Sequence, residues 1–213
     1  NVAQIMQYGV EVSYTKQAAV GNLSGESIIG NQPVQDELAF QLDMTMKTAA
    51  RDIEHSFIQG TYVADTNITT ARKTRGMLEA VTTNEVAGPA AALDQAKVED
   101  ALKQMADSGA PFEMPVIFAN AFQKQKLSAI YSSALALAPR DRNIGGVNIT
   151  TIETDFGQVG IVFERHIPAD DVLIADLAFL KPVFLDIPGK GHFFVEPLAQ
   201  TGAAYKYQVY GEI

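Results

Sequence analysis

Residues 33–60 have the sequence PVQDELAFQLDMTMKTAARDIEHSFIQG, which predicts one long amphipathic helix. Pro33 suits the first turn, because its missing N–H would have no partner there, and Gly60 is typical of a helix end. Such a helix has about seven turns and spans roughly 40 Å. It is either a spine with a sheet packed along it or the long core helix of an ordinary α+β domain. Apolar residues at three- and four-residue spacing form its predicted buried stripe: Leu38, Leu42, Met46, Ala49, Ala50, Ile53 and Phe57.

The residues before this helix predict a β-strand and a loop. Alternation over residues 1–15 places Val10, Val12 and Tyr14 on one face of the strand. Residues 15–32 are polar and rich in glycine, as is typical of loops. The strand has no evident core of its own. It is therefore either an arm that reaches onto a neighbouring subunit or an ordinary edge strand.

Two further helices are predicted around a short strand. The first covers residues 90–108, and the second begins at Asn120, which can cap it, and runs to residue 138. Between them, residues 115–119 (PVIFA) are all apolar and predict a buried strand.

The rest of the chain is mostly β. Residues 147–152 and 159–163 alternate around the turn sequence TDFG (154–157), which predicts a hairpin. A final strand carries Tyr205 and Tyr207 on one face and ends near residue 213. The fold class is therefore α+β.

Composition excludes several classes of function. The 213 residues carry a formal net charge of −9, which argues against a protein whose main task is to grip nucleic-acid phosphates. Without cysteine the chain has no disulfide, thiolate metal site or cysteine nucleophile. A membrane-spanning helix needs about 20 apolar residues in a row, and no such run occurs. The first residues do not resemble a signal peptide.

No pattern of catalytic residues is evident. The histidines at positions 55, 166 and 192 are far apart in sequence and lack metal-site spacing. The serines lack the glycines of a nucleophile elbow, and no pair of carboxylates stands in a context suited to acid–base catalysis. The sequence thus favours a structural or interaction protein. The alternative from another class is a small hydrolase or transferase with an unrecognised site.

Several segments together resemble the major capsid proteins of tailed bacteriophages with the Hong Kong phage-type shell fold. They include QIMQYGVEVSYTKQAAV, ARKTRGMLEAVTTN, ETDFGQVGIVFERHIP and EPLAQTGAAYKYQVYGE. Their order and spacing matter more than any one of them. The matching segments are residues 4–20, 37–60, 71–84, 153–168, 178–185 and 196–212.

The resemblance implies a domain organisation. Residues 1–32 would be part of the extended loop, or arm, that overlaps a neighbouring subunit. Residues 33–88 and 186–213 would form the peripheral domain, with the spine helix at 33–60. Residues 89–185 would form the axial domain. Family members usually carry an N-terminal arm and the ascending half of the loop before this point. We therefore expect a trimmed core, with removal by a maturation protease as the alternative.

The resemblance also implies function and partners. Copies of the chain would form the pentamers and hexamers of an icosahedral head, with scaffold, portal, maturation protease or decoration proteins as possible further partners. Packaged DNA would be contacted only non-specifically, and neither a cofactor nor a membrane is expected. The subunit would be part of the virion after assembly in the bacterial host cytoplasm. An encapsulin-type bacterial compartment is the alternative with the same fold. The expected contact residues are Val10, Val12 and Tyr14 in the arm, covered only on assembly, Arg140, Asp141 and Arg142 in the axial loops, and Asp155 and Phe156 at the hairpin tip.

Overall fold

The computed structural model describes residues 2–18, 37–67, 69–88, 93–134 and 151–213. They form two compact units. Unit 1 comprises Asn1–Arg75 and Pro182–Ile213, and unit 2 comprises Gly76–Lys181. The predicted domains end instead at residues 88 and 185, and that assignment stays a prediction. Among the described residues, no helix has both the length and the apolarity to cross a membrane.

A three-stranded antiparallel sheet forms the β part of unit 1. Strand β1 (Ile5–Ser13) pairs with β7 (Ala204–Glu212), and β7 pairs with β6 (Phe193–Pro197), in the order β1-β7-β6. Ile5 lies opposite Glu212 and Ser13 opposite Ala204. The first strand of the chain is therefore completed by the last one. Strand β1 is thus an edge strand of this sheet, and the assignment of residues 1–32 to an extended loop or arm stays a prediction.

The long helix of unit 1 is α2 (Glu37–Gln59), which ends just before Gly60 as predicted. The first predicted positions, 33–36, lie outside the described residues. The buried face of α2 consists of Ala49, Ser56 and Ile58. Met46, predicted to face inward, is 43% exposed, and Ala50 is exposed as well. The side chains at positions 49 and 56 are small and let the helix lie close to its neighbours. The buried face of α2 therefore differs from the stripe of large apolar side chains that the sequence predicted.

Helix α2 packs against β1. The Tyr8 hydroxyl donates a hydrogen bond to Oδ2 of Asp52 at 2.9 Å. Near the end of the helix the ring of Phe57 meets that of Phe184 edge-on, with centroids 6.1 Å apart, and Phe184 meets Phe193 of β6 in the same way. In unit 1 the sheet thus packs against the long helix, which is one of the two arrangements that the sequence left open.

Unit 2 contains the strands β2 (Pro115–Ala119), β3 (Thr151–Thr154), β4 (Gly157–Phe163) and β5 (Val172–Asp176). They form a four-stranded mixed sheet in the order β3-β4-β2-β5. Strand β2 runs parallel to β4 and antiparallel to β5, and β3 and β4 form the predicted hairpin. Residues 147–150 of that hairpin lie outside the described part.

Helices α4 (Gln95–Asp107) and α5 (Ala121–Ala134) contribute to the core of unit 2. The predicted buried strand β2 is confirmed, since Ile117 and Ala119 are fully inaccessible. Unit 1 also has the short helix α1 (Tyr14–Ala18), and unit 2 the short helix α3 (Met77–Ala80). The core residues of unit 2 are Val98, Leu102, Ile117, Ala119, Leu127, Tyr131, Ile152, Val159 and Ile161.

Side-chain caps fix where α4 and α5 begin. The Asp94 carboxylate accepts a hydrogen bond from the Lys97 N–H at 2.9 Å. The Asn120 side chain accepts one from the Gln123 N–H at 2.9 Å, so the predicted cap is confirmed. Each satisfies a backbone donor that the helix itself leaves unpaired.

Candidate functional site

The first group of predicted contact residues lies on β1. Val10 and Val12 are 6% and 1% exposed. The prediction that they become covered only on assembly is wrong, because both are already buried in the single chain, where β1 pairs with β7 and packs against α2. Val12 is opposite Tyr205, so a residue near the end of the chain supplies a neighbour that the sequence pattern could not reveal.

Tyr14 differs from its two neighbours. It is the first residue of helix α1 rather than a strand residue, and it is 40% exposed. Its ring meets that of Tyr205 edge-on, with centroids 4.9 Å apart. Its hydroxyl donates to Oε1 of Gln200 at 3.2 Å. Tyr14 is therefore held in place but keeps surface to offer a partner.

The second group lies at the tip of the β3–β4 hairpin in unit 2. The turn is made by Asp155 and Phe156, and Gly157 follows with a φ of 113°, a conformation that favours glycine. The Phe156 ring stacks on that of Phe112, with centroids 5.7 Å apart and planes 17° apart. Asp155 is exposed. The third group, Arg140, Asp141 and Arg142, lies outside the described residues.

A cleft beside this tip was not predicted from the sequence. It has a volume of about 600 Å³ and lies between α4, α5 and the hairpin. Helix α4 contributes Glu99, Asp100 and Lys103 to its lining. Gln95, one turn before Glu99, donates a hydrogen bond to the Glu99 carboxylate at 2.6 Å and so restricts it.

The hairpin supplies the opposite wall of this cleft with Glu153, Asp155 and Phe156. Four carboxylates and one ammonium group thus face the same space, which we call the acidic cleft. Tyr131 of α5 completes the lining. It is 7% exposed, and its hydroxyl has no hydrogen-bond partner among the described residues. Burial, with a smaller effect from Glu99, raises the pKa of Tyr131.

A signal for the acidic cleft exists in the sequence, although only in part. Tyr131 follows Leu127 by one turn, on the apolar face of α5. A buried tyrosine hydroxyl usually has a hydrogen-bond partner, so a tyrosine on this face indicates a polar group nearby. The carboxylates on α4 and on the hairpin are about 50 residues apart in sequence. No local pattern predicts that they meet.

Asp176 of unit 2 is a strongly hydrogen-bonded carboxylate. It accepts hydrogen bonds from the N–H groups of Glu113, Met114 and Ala178 at 2.8, 2.9 and 3.0 Å. Burial acts to raise the pKa of Asp176, but these three donors outweigh it and hold that pKa below its usual value. This side chain joins β5 to the segment before β2. Its role is structural.

The chain matches the family model for the SU10 major capsid protein over residues 1–213. This chain belongs to that capsid protein family. The role of the capsid protein is structural and not catalytic. The alternative function predicted from the sequence, a small hydrolase or transferase, is therefore excluded. The capsid protein is a component of the virion. No curated protein matches the chain.

The capsid protein also resembles a solved shell protein. The encapsulin SrpI of Synechococcus elongatus PCC 7942, determined by cryo-electron microscopy as a holo complex, aligns over 99% of this chain and 68% of its own, with a TM-score of 0.60 and 12% identity. At this identity the likeness shows the fold alone. It is consistent with the Hong Kong phage-type fold that the sequence predicted.

The capsid protein exposes large apolar side chains in both units. In unit 1, Phe40 and Met44 lie one turn apart on α2 and are 42% and 45% exposed. Val183 is 73% exposed in the same unit, and Phe179 is 61% exposed in unit 2. Contiguous exposed apolar surface marks interaction sites in soluble proteins, and the adjacent pair Phe40 and Met44 is the start of such a surface.

Proposed function

We propose that the chain is the main head subunit of a tailed bacteriophage or prophage, and that its copies form pentamers and hexamers of an icosahedral shell around DNA. The observation that carries the proposal is the match to a major capsid family along the whole chain. The exposed apolar residues Phe40, Met44 and Val183 support it, because a shell subunit must keep apolar surface for its neighbours.

The proposal assigns a role to each region. Unit 1, with α2 as its spine, would be the peripheral part, and unit 2 would be the axial part at the centre of each pentamer or hexamer. Tyr14, Asp155 and Phe156 would contact neighbours, as would Arg140, Asp141 and Arg142. For Val10 and Val12, burial inside the chain favours a supporting role, in which they fix β1 so that Tyr14 faces the neighbour.

Partners other than the chain itself follow from the same proposal. Scaffold, portal, maturation protease and decoration proteins would act during or after assembly in the host cytoplasm. Contact with packaged DNA would be weak and independent of base sequence, because a chain with a net charge of −9 offers few cations to phosphates.

Sedimentation velocity of the full-length gene product, followed by negative-stain microscopy of the fastest fraction, tests the proposal. Closed shells, or rings of five and six subunits, are the expected result. A chain that stays monomeric with any N-terminal arm of the full-length product in place would contradict it.

An encapsulin-type compartment is the second candidate, favoured by the structural likeness to an encapsulin. The two candidates differ in what the particle contains. Purified particles that hold DNA support the phage head, whereas particles that hold one co-purifying protein in fixed proportion support the compartment.

A further inference from the structure

We propose that helix α2 of unit 1 pairs with α2 of a second copy of this chain, in the antiparallel orientation and about a two-fold axis. The proposal rests on the shell assembly proposed above and names one contact within it. Its evidence is a row of five residues on α2, which we call the outer strip: Glu37, Phe40, Met44, Lys47 and Arg51.

The outer strip runs along one side of α2. Its residues follow one another at alternating spacings of three and four, which is the spacing of a helix surface that packs on another helix. Phe40 precedes Ala49 of the buried face by nine residues, or about two and a half turns, so the two side chains lie on opposite sides of the helix. Phe40 and Met44 are 42% and 45% exposed. The outer strip therefore has an apolar centre that the described part of the subunit leaves uncovered.

The charges of the outer strip change from negative to positive along the helix. Glu37 lies before the apolar centre, and Lys47 and Arg51 lie after it. Lys47 and Arg51 are exposed, and Arg51 forms no ion pair with any residue that the structure describes. Two parallel copies of α2 would bring like charges together, whereas two antiparallel copies bring the acidic end of each to the basic end of the other. The charge pattern thus favours a second copy of α2 as the partner, in the antiparallel orientation.

The apolar centre determines how the two helices align. With the two-fold axis between Phe40 and Met44, Phe40 of each copy packs on Met44 of the partner subunit, and the contact occurs twice. Glu37 precedes Phe40 by three residues, and Lys47 follows Met44 by three. The same alignment therefore places Lys47 of each copy opposite Glu37 of the partner subunit. Apolar and ionic contacts are satisfied by one alignment.

Glu37 can accept this second cation. Its Oε1 accepts a hydrogen bond from the Gln41 amide at 2.7 Å and forms an ion pair with Lys16 at 2.5 Å. Its Oε2 has no partner among the described residues. Because an ionised carboxylate accepts at both oxygens, Lys47 of the partner subunit can bind Glu37 without displacing Lys16.

Disulfide cross-linking of the full-length gene product under assembly conditions tests the pairing. The natural chain has no cysteine, so an introduced cysteine has no competitor. When Phe40→Cys and Met44→Cys chains are mixed and oxidised, the dimers should contain one chain of each kind, because these two positions lie opposite each other. Parallel helices would link like chains instead. Ala50→Cys is the control: it is exposed on α2 but outside the outer strip, too far from its copy to form a disulfide.

A pair of methionine variants tests whether the apolar centre contributes to assembly. Met44 and Met46 are 45% and 43% exposed on the same helix, but only Met44 belongs to the outer strip. Met44→Ala should raise the critical concentration for assembly by about tenfold, because it removes apolar surface that the partner covers. Met46→Ala removes the same atoms and should stay within about twofold.

The outcomes separate this pairing from the proposed function. Disulfides between like chains, disulfides to a different polypeptide, or equal effects of Met44→Ala and Met46→Ala would overturn the pairing. So would shells in which the mixed cysteine chains do not link. Mixed disulfide dimers in a full-length product that forms neither rings nor shells would support the pairing and contradict the proposed function.

Discussion

Replacing Gly211 by alanine should destabilise the sheet of unit 1, because an aromatic ring occupies the space that the new side chain needs. Gly211 of β7 lies directly opposite Phe193 of β6. A Cβ at this position would be 2.5 Å from two carbons of the Phe193 ring and 2.6 Å from a third. Carbon atoms pack favourably at about 3.5–4.0 Å, so the ring must move by about 1 Å.

The size of the effect follows from what that movement disturbs. Overpacking of this kind costs about 1–3 kcal/mol. The displaced Phe193 ring would also weaken its edge-on contact with Phe184, and such a pair contributes about 0.5–1.5 kcal/mol. Against this, replacing glycine in a strand gains roughly 0.5–1 kcal/mol of backbone entropy. We expect a net loss of about 2 kcal/mol in the free energy of unfolding of unit 1.

Gly9→Ala is the matched control for this substitution. Gly9 is in β1 of the same sheet, and a Cβ there would meet nothing within 4 Å. The Gly9→Ala chain should therefore be unchanged or more stable by up to about 1 kcal/mol.

Urea unfolding of the unassembled chain, followed by hydrogen exchange in peptides from β6 and β7, measures both variants. With a urea dependence of about 1–3 kcal/mol/M, Gly211→Ala should lower the midpoint of unit 1 by roughly 1 M. An unchanged midpoint would refute the packing argument. Equal losses in the two variants would show that any side chain disturbs these strands, and that the ring is not the cause.

Three further predictions concern unit 2. Leu102→Ala should lower the free energy of unfolding by about 2–5 kcal/mol, because Leu102 is fully buried in the core. Leu180→Ala is the control and should lower it much less, since Leu180 is 38% exposed. Urea unfolding measures both variants. Asn120→Ala should cost about 1 kcal/mol by removing the cap of α5, whereas Asn120→Asp should keep the cap and most of the stability. The pKa of Asp176 is lower in the folded chain than in the unfolded one, so its stabilising effect is complete above the ordinary carboxyl pKa and is lost as the pH falls through the folded pKa. In Asp176→Asn, the unfolding midpoint of unit 2 should be lower at neutral pH and should change less on acidification; an identical pH profile in both chains would rule out this role.

Local features of the fold could be predicted from the sequence because their causes are local. The alternation that places Val10 and Val12 on one face of β1, the cap at Asn120 and the turn before Gly157 each depend on residues a few positions apart. Pairing between distant segments could not be predicted in this way. The side-chain hydrogen bond between Gln7 and Gln208 joins residues 201 positions apart, and the strand pattern of either segment gives no register.

The acidic cleft shows the same limit at the functional level. The carboxylates that line it come from α4 and from the hairpin, and Tyr131 of its lining comes from α5. Each of these segments has an ordinary sequence when taken alone. Only their packing in unit 2 places four carboxylates around one unpaired hydroxyl.

Helix α2 leaves large apolar side chains exposed in the isolated subunit. Helix α2 has 23 residues, of which Ala49, Ser56 and Ile58 are buried and eight more are partly buried, so its apolar face is only partly covered within the subunit. Helices in water depend on packing of that face. Phe40 and Met44 remain on its surface, and a neighbouring subunit can cover them. Part of the hydrophobic stabilisation of the spine would then come from assembly, so subunit folding and shell formation would be thermodynamically coupled.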